Sequence, residues 1–182
     1  MPKMFAVQSN VIRGLTKQQY SLLREMCQYS NNLYNVALYN IRQYFFENNK
    51  YLPYENNYQE CRQNENYALI QAGAAQQILR VADRSFRSFF SLLKQCRDGD
   101  YSSRNIRIPH YRKKGGLFNL ILSTNSISVK DGKFRVPMSR RFMTMHPDLQ
   151  PILIPFPVRL NDKAIKEVRI IPFDGGRHFK IQ

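Results

Sequence analysis

Apolar positions recur along this chain with two different periods, and the change from one to the other divides it. Leu23, Met26, Ser30, Leu33, Ala37, Ile41 and Phe45 follow spacings of three and four, which lays one inward face along a long helix with Ser30 as its weak point. Thr16 with Gln19 three places on forms a capping box at its start, and Asn48-Asn49-Lys50 breaks it. Pro53 is placed to open a short helix carrying Tyr54, Tyr58 and Cys61, and Asn64-Glu65-Asn66 separates that helix from the next. In that third helix Ala75, Ile78, Leu79, Ala82, Phe86, Phe89 and Leu93 share a face. Gln76, Arg80, Arg84, Arg87 and Lys94 project together from another, either as a solvated polar side or as a track for a phosphate backbone.

Strand-like patterning flanks the helices. Residues 4–12 read as a strand closed by Arg13-Gly14. After Asp98-Gly99-Asp100, strands are predicted over 117–122, 126–129, 133–136, 151–154, 164–171 and 177–181. Asp131-Gly132 and Asp174-Gly175-Gly176 supply the turn chemistry. This order predicts an α+β chain in which a helical unit, residues 15–100, is inserted after the first strand of an antiparallel β-barrel built from 1–14 and 101–182. The last strand ends without a capping segment, so its edge is expected to be exposed.

Charge changes the picture. The 182 residues carry a formal net charge of +15, and residues 101–182 hold 16 Lys and Arg against 5 Asp and Glu, whereas residues 1–100 hold 12 against 8. A surplus concentrated in one half implies a polyanionic partner and leaves the fold open. Its densest expression is Ile108-Pro109-His110-Tyr111-Arg112-Lys113-Lys114-Gly115-Gly116, where an aromatic and three cations precede a glycine pair. Clustered Arg and Lys displace condensed counterions and glycine lets main chain approach phosphate oxygens, although a solvated basic loop has the same composition.

Other chemistry is sparse. No apolar run is long enough to span a bilayer, and neither a signal peptide nor a long basic amphipathic helix is found, so no membrane partner and a cytoplasmic, nucleoid-associated location are expected. Cys27, Cys61 and Cys96 are odd in number and far apart, which supports neither a disulfide framework nor a zinc knuckle. His110, His146 and His178 sit in separate segments, and no metal or cofactor is expected.

Several of these landmarks together resemble the N-terminal half of TnpB-type proteins, the transposase-like RNA-guided DNA nucleases of insertion sequences. The landmarks are the first strand, the capped helix with Leu33-Tyr34-Asn35, Tyr54 after Lys50-Tyr51-Leu52-Pro53, the helix from Gln76 to Phe90, Pro109-His110-Tyr111-Arg112-Lys113-Lys114, and Ser123-Thr124-Asn125 before Asp131-Gly132. The resemblance implies an oligonucleotide-binding-like wedge barrel with an inserted helical recognition lobe. It also implies two partners, a structured guide RNA and double-stranded target DNA carrying a short adjacent motif, with base pairing reading the target. By the same resemblance Tyr54, Tyr58, Gln76, Ser123 and Thr124, with Asn125 adjacent, are the motif-reading positions. Glutamine can serve an adenine edge, hydroxyls serve either base and tyrosine adds a π-face, but a core helix and an ordinary turn would use the same residues. On charge and position, Arg80, Arg84, Arg87, Arg107, Tyr111, Arg112, Lys113, Lys114, Arg140 and Arg141 are the RNA or DNA backbone contacts. Ala72 and Gly73 stand where relatives often have a basic and an aromatic residue, and Asn31 where they often have arginine.

The family's cleavage chemistry lies in a RuvC-like domain whose carboxylates hold two metal ions. The chain ends at Gln182, about where that domain is expected to begin, and Asp148, Asp162, Glu167 and Asp174 match none of its motifs. The expectation is a nonenzymatic nucleic-acid-binding half. One alternative is a subunit completed by a separate RuvC-like nuclease chain; another is a decayed fragment that binds polyanions without selectivity.

Overall fold

The computed structural model describes residues 6–100, 102–160 and 164–182. Helix α1 spans Lys17–Asn48. Its start is held by the capping box: the Thr16 hydroxyl accepts from the Gln19 N–H at 3.2 Å, and the Gln19 side-chain oxygen accepts from the Thr16 N–H at 3.1 Å. Asn49 ends it in a left-handed conformation, φ 51°. Along the inward face Leu23, Met26, Leu33, Ala37 and Ile41 are buried. Ser30 is buried too, and its hydroxyl donates to the Asn119 carbonyl at 2.8 Å, so the polar gap in the stripe ties the helix to the segment leading into a strand.

Helix α2 is Tyr54–Cys61 and α3 is Glu65–Leu69. The Asn64 side chain caps α3 by accepting from the Asn66 N–H at 3.0 Å, so the expected separator opens a further helix. Helix α4, Ala72–Arg97, is capped by Gln71, which accepts from the Ala74 N–H at 2.9 Å. It packs on α1 with Ala75, Ile78, Leu79, Ala82 and Phe86 buried; each large apolar side chain so enclosed contributes about 1.5–3 kcal/mol.

The strands are β1 Asn10–Val11, β2 Leu120–Ser123, β3 Val129–Lys130, β4 Lys133–Arg135, β5 Leu153–Pro155, β6 Glu167–Phe173 and β7 His178–Ile181, with helix α5, Arg140–Met145, between β4 and β5. The chain is α+β, but the expected closed barrel is not formed. Two antiparallel sheets stand in its place, β1-β7-β6-β2 and β3-β4-β5. Residues 124–126, immediately after β2, wind into a 3-10 turn, and the Thr124 hydroxyl there donates to the carbonyls of Ile165 and Lys166. Pro155, the last residue of β5, and Pro157 just beyond it lack the N–H that a continued ladder needs. The interruption at both places leaves the two ladders separate.

Three further expectations are corrected. Among the described residues the first strand is only Asn10–Val11; residues 4 and 5 of the predicted stretch lie outside them. The final strand is no exposed edge: β7 lies between β1 and β6, with Asn10 opposite Ile181 and Ile171 opposite Lys180. The predicted strand over 126–129 is reduced to Val129–Lys130, joined to β4 through Asp131 and Gly132, both at positive φ. One continuous apolar core joins the helices and sheets through residues such as Leu23, Phe86, Leu120, Phe134, Ile170 and Phe179.

Candidate nucleic-acid interface

Two segments far apart in sequence meet at the N-terminal end of α4. Gly73 faces the turn of residues 124–126 so closely that a Cβ there would lie 2.6 Å from the Ser126 hydroxyl, while that hydroxyl sits 3.3 Å from the Gln71 side-chain oxygen. A residue without a Cβ at position 73 is therefore what allows the turn to rest on the helix. Gln76 lies three residues further on, on the same side of α4. Ser123, Thr124 and Asn125 are thus brought beside the helix that carries Gln76. Ser123 is half-buried, Thr124 and Asn125 are exposed, and the Thr124 hydroxyl already donates to Ile165 and Lys166.

Around Gln76 the tyrosines form a connected group. Tyr54 and Tyr58, one turn apart on α2, stack with ring centroids 6.3 Å apart, and Tyr58 meets Tyr67 of α3 edge to face at 6.0 Å. Burial pushes the Tyr67 hydroxyl up to about 12; hydrogen bonding with Tyr58 acts in the same direction and Gln76 opposes it. The Arg80 guanidinium lies 4.6 Å from the Tyr54 ring centroid, a cation–π contact that also opposes the burial raising the Tyr54 pKa. Tyr67 was not among the expected positions. Its signal was only a tyrosine in the short segment between two predicted helices, which says nothing about where its ring goes.

Farther along α4, Arg84 is exposed and Arg87 is committed: its Nε lies 2.9 Å from an Asp83 oxygen and donates to the Tyr51 hydroxyl at 3.2 Å. Tyr51 in turn donates to Asp83, which is buried. Burial raises the Tyr51 pKa, with the Asp83 hydrogen bond acting alongside. The cationic face of α4 is therefore part internal ion pair and part free charge.

The basic loop is held on α1. Asn35 and Asn31, one turn apart, bind the main chain of Arg112 and Lys113, and Arg42 Nη1 donates to the Pro109 carbonyl at 2.8 Å. Arg112, although exposed, spends its guanidinium locally: its Nε donates to Asn31 Oδ1 at 3.1 Å, its Nη2 to the Leu117 carbonyl at 3.2 Å, and the group lies 4.2 Å from the Phe118 ring centroid. Desolvation lowers its pKa, with Tyr34 opposing. Lys113 and Lys114, with Arg107 on the approach, are exposed as well. The spacing of the two asparagines was visible in the sequence as one helix face, although their partners were not.

Arg140 and Arg141 occupy the first turn of α5, also exposed. Cations at a helix N-terminus oppose its dipole, so helix stability does not account for them. His146 Nε2 lies 3.1 Å from a Glu25 oxygen and Glu167 pairs with Arg169, while Asp162 lies outside the described residues. Among the described residues no group of three or more His, Cys, Asp or Glu side chains is placed to hold a metal ion, and no helix is long and apolar enough to cross a membrane. The chain matches no known protein-family model and no curated protein.

Proposed function

We propose that this chain is a nucleic-acid-binding module without cleavage activity of its own, corresponding to the wedge and recognition lobe of a TnpB-type RNA-guided nuclease. In this reading it binds a structured guide RNA and reads a short motif in double-stranded target DNA. The observation that supports the reading is that residues 123–126 rest on the first turn of α4 while Gln76, one turn further along, bonds within the tyrosine group, because recognition of base edges requires polar and aromatic groups on neighbouring surface. The exposed cations Arg84, Arg107, Lys113, Lys114, Arg140 and Arg141 supply the backbone term.

The test is binding of the guide RNA transcribed from the adjoining element, against a scrambled RNA of equal length, across a salt series. Selective binding that persists at high salt supports the reading. Equal and steeply salt-sensitive binding to both RNAs reduces the protein to a generic basic surface and removes the proposal.

A further inference from the structure

A second aromatic surface lies on α1, away from Tyr54 and Tyr58 in sequence and unexplained by packing. Tyr39, Arg42 and Phe46 follow spacings of three and four and so share a stripe of the helix. Tyr39 is 53% exposed and Phe46 59%, and the docked loop brings in Tyr111, 44% exposed. The Arg42 guanidinium lies 5.5 Å from the Phe46 ring centroid and 4.8 Å from that of Tyr111. It is fixed there by its 2.8 Å bond to the Pro109 carbonyl, while its Nε is buried without a hydrogen-bond partner. Single exposed apolar residues are ordinary; two exposed rings flanking one guanidinium, with a third on the same helix stripe, form a patch of the kind that binds partners. The loop that brings Tyr111 also carries Arg107, Lys113 and Lys114, all exposed.

We propose that Tyr39, Phe46 and Tyr111, organised by Arg42, form a stacking platform for unpaired bases of the bound RNA, a proposal that rests on the RNA-binding reading above. Aromatic faces accept any base by stacking, and neighbouring cations follow the strand's phosphates. Only unpaired nucleotides can use it, because a duplex keeps its base faces stacked inside. An apolar protein partner fits less well, since cations on the loop border the rings.

The chain contains no tryptophan, so F46W puts its sole indole on the platform. The probe is a single-stranded, adenine-rich RNA of about 12 nucleotides, within the range bound by such surfaces, with binding read independently by anisotropy of a 5′ label. Quenching of the indole on binding, together with an affinity loss of about tenfold in the double variant F46S/Y111S at unchanged salt slope, is the expected result. Thermal melts of both variants establish that they fold; F46S alone, at an exposed position, serves if the double variant does not. RNA that binds by anisotropy without quenching the indole overturns the platform and leaves the RNA-binding reading standing. Failure to bind any RNA removes both. Equal quenching by double-stranded RNA overturns the requirement for unpaired bases, and equal quenching by DNA of the same sequence overturns the assignment to RNA.

Discussion

Asn35 and Arg112 hold each other in both directions: the Arg112 N–H donates to Asn35 Oδ1 at 2.8 Å, and Asn35 Nδ2 donates to the Arg112 carbonyl at 3.0 Å. One carboxamide thus does what a neighbouring strand would do for an isolated stretch of main chain. Asn31 repeats the device a turn earlier, donating to the Lys113 carbonyl at 3.0 Å, and Arg42 holds Pro109 at the far end. The loop has no ladder of its own, and side chains of α1 satisfy its backbone.

Removing either asparagine should loosen the loop, and Asn31 should matter more. Asn31 is buried, so N31A removes two hydrogen bonds from a site that water does not readily refill, although the Lys113 carbonyl keeps the Gly116 N–H and Arg112 keeps the Leu117 carbonyl, at a cost of about 2 kcal/mol. Asn35 is only half-buried and water can replace it, so N35A should cost about 1 kcal/mol. Urea melts give the stabilities, and hydrogen exchange at the Arg112 amide should accelerate in N35A. Equal costs at the two positions would refute the burial argument.

The cations of the same loop should separate into two behaviours. Arg112 is spent on Asn31, Leu117 and the Phe118 ring, so R112A should lower stability by about 1–3 kcal/mol through the lost hydrogen bonds and packing. Its effect on the salt slope of RNA binding should be small. K113A/K114A should leave the melt within about 0.5 kcal/mol of the parent and reduce the slope by about 1.4, two phosphates at roughly 0.7 each. The comparison needs both readouts on both variants. A larger slope change in R112A would return that residue to the binding surface.

What could be read from the chain beforehand follows the range of each interaction. The α1 capping box, the asparagine that ends the helix and the Asp131-Gly132 turn are settled within a few residues, and all are found where the pattern predicts them. The place of β7 between β1 and β6 depends on pairing His178–Ile181 with residues near the other end of the chain, which no local pattern encodes. Helix α5 was not predicted, although Ser139 caps it by accepting from the Phe142 N–H at 3.0 Å, because so short a segment has no full apolar period. At the candidate site, the residue types at Tyr54, Tyr58 and Gln76 were legible. The addition of Tyr67 and the local bonding of Arg112 were not, since both depend on which neighbouring element a side chain meets.

Two adjacent glycines should respond differently to the same change. Gly175 and Gly176 have φ of 65° and 85°, so alanine is strained at either by roughly 1–2 kcal/mol. At Gly175 the space is open, and that strain should be nearly the whole effect. At Gly176 a Cβ would fall 2.3 Å from Leu117 Cδ1 and 2.7 Å from Arg24 Nη1, and the Gly176 carbonyl accepts from the Tyr20 hydroxyl. Overpacking adds about 1–3 kcal/mol, so G176A should melt well below G175A. Matching melts would mean that Leu117 and Arg24 move aside freely.

Alkaline pH should weaken the fold through half-buried phenols. Tyr67 holds its proton to about 12 in the folded chain against an ordinary value of 10.0, and Tyr29 does the same through burial and the hydrogen bond it donates to Glu25. The folded state binds these protons more tightly than the unfolded state. Their stabilisation is complete below pH 10 and is lost as pH rises from 10 to 12. Denaturant midpoints measured across that window should fall, and Y67F, which keeps the ring without the ionisable hydroxyl, should flatten the decline.

The three thiols provide an internal measure of how the core opens. Cys27 and Cys61 are buried, and desolvation raises both pKa values, that of Cys61 to about 12, whereas Cys96 near the end of α4 is half-buried. Attack on a disulfide reagent requires a thiolate within reach of solvent, so one equivalent should react promptly at neutral pH and the C96S variant should abolish that phase. The other two should react only when the chain opens. Cys27 lies on α1 beneath the Phe118 backbone, whose N–H donates to its carbonyl at 2.9 Å, while Cys61 closes α2 beside Asn57 and Asn40. Exposure of Cys61 requires only that α2 lift from α1 and α4, whereas exposure of Cys27 requires the sheet segment to leave α1. Labelling followed by peptide mapping should therefore find Cys61 modified before Cys27, with Cys27 tracking global unfolding in urea. Simultaneous labelling at the global rate would show instead that the helices and sheets open as one cooperative unit.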